Sequence, residues 1–361
     1  MRKILSGLAV TALVLALAAC GSDEEVGVKA NMGATIGISM PNTTSTRWIG
    51  DGNSMVEQFK AMGYKVNLKY AEDNVKTQVA QIQAMVNEGD KLLVIAAIDG
   101  SALNGVLASA GKTKVPVISY DRLILGSPNV NYYASFDNFR VGVLQAQLLV
   151  DRLGVGKSKT AGPFNIELFS GSADDNNANY FFRGSMSILQ PYLDNGQLVV
   201  KSGQTQYKKT TTERWDAARA QKRMNLILDT AYDTAKVNAV LSPYDGMSRG
   251  IIKALKSHGY TRKTMPFVSG QDAELDSVKL IKKGEQAGTV YKDTRELAKV
   301  TVQMGNAVLT GATPLVNDTT SYNNKVKDVP SYLLYPVAVD KSNYETLLVK
   351  GGYYKEAQLN S

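Results

Sequence analysis

The sequence predicts an α/β protein made of two doubly wound, Rossmann-like lobes. Three observations lead to that class. Short apolar runs alternate with segments whose apolar residues recur every three or four positions, strand followed by helix. The alternation runs through the chain twice, without a strong repeat in the sequence itself. And a chain of 361 residues, 44% hydrophobic and 20% charged, is too long for one ordinary core.

The elements follow in order. MRKILSGLAVTALVLALAAC opens with Arg2 and Lys3 and continues in an apolar run from Leu8 to Ala19, broken only by Thr11. The run is too short for a comfortable membrane span and has the layout of an export signal, residues 1–19. Its end, Leu17-Ala18-Ala19-Cys20, resembles the lipobox of bacterial lipoproteins, which implies lipidation of Cys20, the only cysteine. With no second thiol there is no disulfide, although an exported protein could carry one. Residues 20–33 are mostly small, polar and aperiodic, and read as a tether. Residues 36–40 form the first strand. Residues 50–62 carry Met55, Val56, Phe59 and Met62 on one helical face and stop at Gly63. Residues 66–71 alternate as a strand, and 73–88 put Val75, Val79, Ile82 and Val86 on one helical face, up to Gly89. The continuous apolar run 92–97 suits a parallel strand covered on both sides. A helix over 102–110 and a strand over 115–120 complete the first unit. The second has strands over 164–169, 198–202, 239–242, 266–269 and 287–291, with helices over 181–189, 216–231 and 246–259. A helix over 295–309, one last strand over 332–339 and a short helix over 344–349 close the chain.

Open α/β sheets take ligands beyond the carboxyl ends of their strands. In this sequence those ends are rich in charges and amides. Arg47 and Trp48 lie beyond the first strand, Asp121 and Arg122 beyond the fourth. Asp137 and Asn138 follow YYASF, and Asp174 to Asn177 follow IELFSG. Tyr244 and Asp245 follow AVLSP, Gln271 and Asp272 follow FVSG, and Lys292 and Asp293 follow GTVY. Loops are polar in any protein, which accounts for some of these. It accounts less well for Asp set beside Arg, Asn or Gln directly after an apolar run. Carboxylates accept hydrogen bonds from vicinal hydroxyls, Arg donates in a planar fork, and Asn and Gln do both. The two tryptophans, Trp48 and Trp215, could each cover the C–H face of a sugar ring or be plain core residues. This inventory suits a neutral polyhydroxylated ligand.

It does not suit catalysis. The one histidine, His258, sits at a helix end in KSHGYT. No nucleophile elbow, HExxH, phosphate loop or GxGxxG is present, so no cofactor is expected. DDNN is too short and wrongly spaced for a calcium loop, and no metal is expected. Asp121 and Asp272 could in principle hydrolyse a glycoside, but each is expected to be tied to a donor, which makes it a poor general acid. Net charge is +8, and apart from Arg2 and Lys3 the basic residues are scattered, so nucleic-acid binding is not expected. Export also separates the protein from cellular nucleotides, which argues against an ATP-driven enzyme.

The stretches STRWIGDGN, LLVIAAIDG, VISYDRLI, YYASFDNFRVGVLQA, GPFNIELFSGSADDNNA, LSPYDGMS, VSGQDAE, TVYKDTRELAKVTV and VPSYLLYPVAV are specific as a set. Through them the chain, from Ala34 to Tyr354, resembles the periplasmic sugar-binding proteins of ABC transporters, of the ribose- and xylose-binding type. The resemblance implies two lobes joined by three crossovers, closing over an aldose. It implies delivery of a monosaccharide to ABC permease subunits by a monomer without enzymatic activity. It implies that Arg47 and Trp48 face the ligand from the first loop, and that Asp121 and Arg122 hold sugar hydroxyls and the ring oxygen. Asn138 matches a polar position at the first hinge, Asn177 a sugar-facing amide with Asn176 beside it, and Trp215 a second aromatic wall. Asp245, or the neighbouring Tyr244, belongs to a site loop. Asp272 matches a hydroxyl acceptor and Lys292 a donor at the second hinge. The crossovers are implied near 137–138, near 292–293 and between 311 and 330. The N-terminal lobe would then hold 34–137 and 293–315, and the C-terminal lobe 138–292 and 316–361. The lipobox departs from the soluble relatives and implies a membrane-anchored version. The same closed form could instead serve a sugar sensor, and sequence does not separate the two. Asp121→Ala is expected to abolish binding with little loss of fold, because a strand-end charge has few core contacts.

Overall fold

The computed structural model describes residues 33–157 and 162–360; the expected signal, nearly all of the tether and Cys20 lie outside them. The N-terminal half builds β1 (Thr35–Met40), β2 (Lys65–Tyr70), β3 (Leu92–Ile95), β4 (Val117–Tyr120) and β5 (Tyr132–Phe136). With β11 (Ser331–Leu334) they form one parallel sheet in the order β11-β5-β4-β3-β1-β2. Helices α1 (Thr46–Ala61), α2 (Val75–Glu88) and α3 (Asn104–Lys112) alternate with the strands. β3 shows why the sheet is covered on both faces. Its four residues are all buried, and side chains alternate across a strand. Leu92 and Val94 join Ile36, Ile38 and Phe59 in one core, while Leu93 and Ile95 join Ile82, Met85 and Leu107 in the other. Each such side chain contributes about 1.5–3 kcal/mol on burial.

The second half repeats the plan. β6 (Phe164–Leu168), β7 (Leu198–Val199), β8 (Ala239–Leu241) and β9 (Phe267–Val268) pair in parallel in the order β7-β6-β8-β9. Around them lie α4 (Asn138–Leu153), α5 (Asn176–Asp194), α6 (Ala217–Ala231), α7 (Asp245–Ser257) and α8 (Leu275–Lys283). β10 (Gly288–Tyr291) pairs antiparallel with β12 (Val337–Asp340). Helix α9 (Thr294–Thr310) returns to the first sheet, burying Leu297 and Val302 beside Met55 and Phe59 of α1. Two doubly wound lobes result, and among the described residues no helix is long and apolar enough to cross a membrane.

The chain changes lobe in two places by the same device. After β5, Asp137 caps α4 by accepting the Arg140 amide at 2.9 Å. After β10, Asp293 caps α9 by accepting the Arg295 amide at 3.1 Å. An Asp that ends a strand and caps a helix sets the exit direction with one residue. The third passage differs from expectation. The strand expected over 332–339 is two strands, β11 in the parallel sheet and β12 on β10. The switch lies at Tyr335 and Pro336, not between 311 and 330, and residues 316–334 do not go with the C-terminal lobe as expected. Pro336 has no amide hydrogen to continue a ladder, and Tyr335 beside it is 84% exposed.

Two of the longer helices, α4 and α8, are not among those expected, nor are the short helices Tyr207–Thr210 and Glu356–Asn360. The buried face of α4 includes Asn138, Gly142 and Gln145, so its hydrophobic period is broken. α1 begins at Thr46 rather than at 50, which places Arg47 and Trp48 in its first turn instead of in a loop.

Candidate ligand site between the lobes

A pocket of about 430 Å³ lies between the lobes, lined by residues that follow strands of both sheets. That volume falls in the range of small-ligand sites, roughly 300–1,000 Å³.

Asp121 is at its centre. It leaves β4 with φ 58°, a left-handed conformation that Asp tolerates better than most residues. Its carbonyl accepts from the Tyr133 hydroxyl at 2.7 Å, Ser135 Oγ at 2.8 Å and Asn177 Nδ2 at 2.8 Å. With the main chain pinned from both lobes, its carboxylate receives Arg47 Nη2 at 2.8 Å and stands 3.8 Å from Lys292 Nζ. Arg47 also reaches Asp51 at 3.1 Å and Asp272 at 3.5 Å. Lys292 closes the cluster on Asp272 at 3.0 Å. Asp272 leaves its own strand with φ 87° and its amide held by the Val290 carbonyl at 2.9 Å.

The charges settle their own protonation. Burial acts to raise the pKa of Asp121, but Arg47, Lys292 and Arg122 outweigh it and hold the carboxyl at about 2. Burial pushes Asp51, deeper in the lobe, up to about 6 against the pull of Arg47. Burial works against the Arg47 cation, yet Asp121, Asp51 and Asp272 hold its pKa well above the ordinary arginine value. Asp121 is therefore an anionic acceptor near neutral pH and cannot serve as a general acid.

The aromatic walls are built differently. Trp48 is 4% exposed and stacks under two cations, with the guanidinium carbons of Arg47 and Arg122 at 4.4 and 5.2 Å from its ring centroid. Trp215 follows Arg214 in a left-handed pair, φ 56° and 57°. Its ring meets Phe181 and Tyr244 edge-on at 6.1 and 6.3 Å. A Cβ on Gly171 would stand 2.0 Å from that ring, so only glycine lets the indole lie there. Arg122 pairs with Asp175 across the lobes at 3.0 Å and donates to the Ala97 carbonyl at 3.2 Å. At the rim, Arg214 donates to the Asp73 carbonyl, and Ser45 Oγ donates to Glu274 Oε1 at 3.4 Å. The lobes are thus in contact over the pocket.

Of the expected site residues, Arg47, Trp48, Asp121, Arg122, Asn177, Trp215, Asp272 and Lys292 line the pocket. Three do not. Asn138 is buried one layer behind, its Nδ2 donating to Asn177 Oδ1 at 3.0 Å. Asn176 opens α5 beside Asn177, and a helix turns successive side chains about 100° apart, so only one of the two faces in. Asp245 is fully buried, accepting from the Glu274 amide at 2.8 Å and Gln286 Nε2 at 2.9 Å. Burial first, then the Glu274 charge, raises its pKa well above the usual carboxylate range. Its neighbour Tyr244 is the one that lines the pocket. Sequence reasoning missed Asp51, Phe181, Arg249 and Arg214. Asp51 had a signal, an acid four residues after Arg47 on one helix. The others come from positions no strand end marks.

Such a pocket offers anionic acceptors and cationic donors at fixed positions between aromatic rings. A family model described as a periplasmic binding protein domain matches residues 36–313. The chain is 58% identical, over 90% of its length and 92% of the relative's, to the multiple sugar-binding periplasmic receptor ChvE of Rhizobium radiobacter. It is 56% identical to the multiple sugar-binding periplasmic protein SbpA of Azospirillum brasilense, over 98% of this chain and 97% of that one. The crystal structure of an ABC transporter solute binding protein from Clostridium phytofermentans with bound beta-D-glucose matches with a TM-score of 0.87 at 44% identity. That match covers 90% of this chain and 99% of the other. Fold, pocket and relatives agree: this chain belongs to the periplasmic binding protein family, as a binding protein and not an enzyme.

Proposed function

We propose that this chain is an extracytoplasmic aldose-binding lipoprotein that hands its sugar to an ABC importer when two lobes close over it. The observation that carries this reading is the cross-lobe cluster of Arg47, Asp121, Asp272 and Lys292, which lines one pocket with Trp48 and Trp215. Its charges largely cancel one another, which favours a neutral ligand that both donates and accepts. In this reading Asp121 and Asp272 accept sugar hydroxyls, Arg47, Arg122 and Lys292 donate to its oxygens, and Asn177 adds an amide. The two tryptophans cover the C–H faces of the ring. The relatives named for several sugars, and the related structure holding glucose, support an aldose over other polyols. The lobes are taken as 34–137 with 293–334 and 138–292 with 335–360, hinged at the two Asp caps and at Tyr335–Pro336.

A panel of hexoses and pentoses tests the ligand class by thermal shift and calorimetry. A sugar at ~100 times its dissociation constant stabilises the protein by about 2.7 kcal/mol. If no member of the panel moves the melting curve, the aldose reading fails. Anchoring at Cys20 rests on the lipobox. Cells fed labelled palmitate should mark the wild type in the membrane fraction and release Cys20→Ser unlabelled. An unlabelled wild type would remove the anchor.

A further inference from the structure

We propose that Gln271 is a specificity-determining residue of this site, its side-chain carbonyl accepting a hydrogen bond from one hydroxyl of the bound sugar. The inference rests on the aldose reading above. Gln271 is 3% exposed, follows β9 and lines the pocket beside Asp272. Its Nε2 donates to the Pro243 carbonyl at 3.1 Å. A carbonyl only accepts, so this contact fixes which end of the amide carries the nitrogen. Its main-chain carbonyl is also engaged, by the Asp245 amide at 3.1 Å. The side-chain Oε1 is left buried with no protein donor.

A buried acceptor without a donor is costly, and native structures carry few of them. The other buried pocket-lining side-chain atoms without a hydrogen bond or ion pair, among the described residues, are donors: Arg47 Nε and Trp215 Nε1. Gln271 Oε1 is the one acceptor of that group. A carbonyl only accepts, so its complement is a donor, and the aldose of the proposed function brings hydroxyls. A sugar lacking the hydroxyl at that position, or carrying an ether there, would leave Oε1 unpaired. Two carboxylates that already hold cations discriminate less sharply at any one hydroxyl, because each keeps a partner when a hydroxyl is removed.

The test is calorimetry of the tightest-binding aldose of the panel and its mono-deoxy series, on wild type and on Gln271→Met. Methionine keeps the length and removes both polar ends. The wild type should lose about tenfold or more in affinity for one particular deoxy sugar. Gln271→Met should bind that deoxy sugar and the parent equally, with discrimination at the other positions kept. If Gln271→Met does not fold, judged by its ligand-free melting curve, Gln271→Asn gives the same readout by withdrawing the carbonyl. A wild type that binds with the variant's deoxy profile unchanged overturns the role of Gln271 alone. A wild type that binds no aldose overturns the site reading and this inference with it.

Discussion

Asp121 combines two duties that the sequence kept apart. Its carboxylate is a ligand acceptor in the proposed site, and it is also the counter-charge that lets Arg47 and Lys292 stay buried. The premise of few core contacts does not hold at Asp121, which is 4% exposed and paired with two buried cations, so its loss is expected to cost the fold as well. Asp121→Asn, which still tolerates the left-handed backbone, should lose sugar affinity by more than about 100-fold. It should also destabilise the ligand-free protein by about 3 kcal/mol, the cost of stranding a buried charge. Calorimetry and urea unfolding measure the two, and a wild-type unfolding midpoint would show that the cluster does not support the fold. The sign with pH follows from the carboxyls. Asp121 is held low in the folded state, so its contribution is present above the ordinary carboxylate range and fades as pH falls toward about 2. Asp51 is raised, so its contribution is present at low pH and is lost as pH rises through about 6. The Asp121-Arg122 pair was legible because charges at the end of an apolar strand stand out. Asp51 was not, because on paper it is one more i,i+4 acid on a helix surface.

Among the elements, α4 and α5 decide how closely the pocket wall approaches. They cross at glycines from both sides. A Cβ on Gly142 would stand 1.9 Å from the Phe181 carbonyl oxygen, and one on Gly184 would stand 2.0 Å from that of Phe139. Each helix rests on a carbonyl of the other, which no side chain would allow. Asn177 and Phe181 reach the pocket from this same α5. Gly142→Ala should cost about 1–3 kcal/mol by overpacking and weaken sugar binding by moving those two side chains. Unchanged stability in urea would mean the crossing relaxes freely. Most helices with an unbroken apolar face were legible to within a few residues. α4 was not, because a face made of Asn138, Gly142 and Gln145 among aliphatics looks polar until α5 is packed on it.

At the scale of the molecule, the lobes are held shut by contacts at three depths. Lys292 and Arg47 join Asp272 and Asp121 in the middle, Arg122 meets Asp175, and Arg214 meets the Asp73 carbonyl at the rim. The rim contact touches no core residue, so it isolates closure from folding. Arg214→Ala should leave the melting midpoint of the ligand-free protein unchanged and raise the sugar dissociation rate about tenfold, the worth of one charge-assisted hydrogen bond. Small-angle scattering should show a larger radius of gyration for the unliganded variant. An unchanged dissociation rate would mean that the central cluster alone holds the lobes.

The amino-acid order by itself determined the fold class, because parallel strands buried on both faces and amphipathic helices leave unmistakable periods. It also marked most of the pocket, because polar residues directly after apolar strands have few structural reasons to be there. Only the tertiary structure decided which of neighbouring polar residues face inward, Asn177 rather than Asn176 and Tyr244 rather than Asp245, since that depends on how each helix is rotated against its sheet. It alone moved the last crossover to Tyr335–Pro336, since a chain that ends one strand and starts another two residues later looks continuous until the partners are seen. And it alone joined the Arg47–Asp121 pair of one lobe to the Lys292–Asp272 pair of the other, residues far apart in sequence that meet only where the two lobes do.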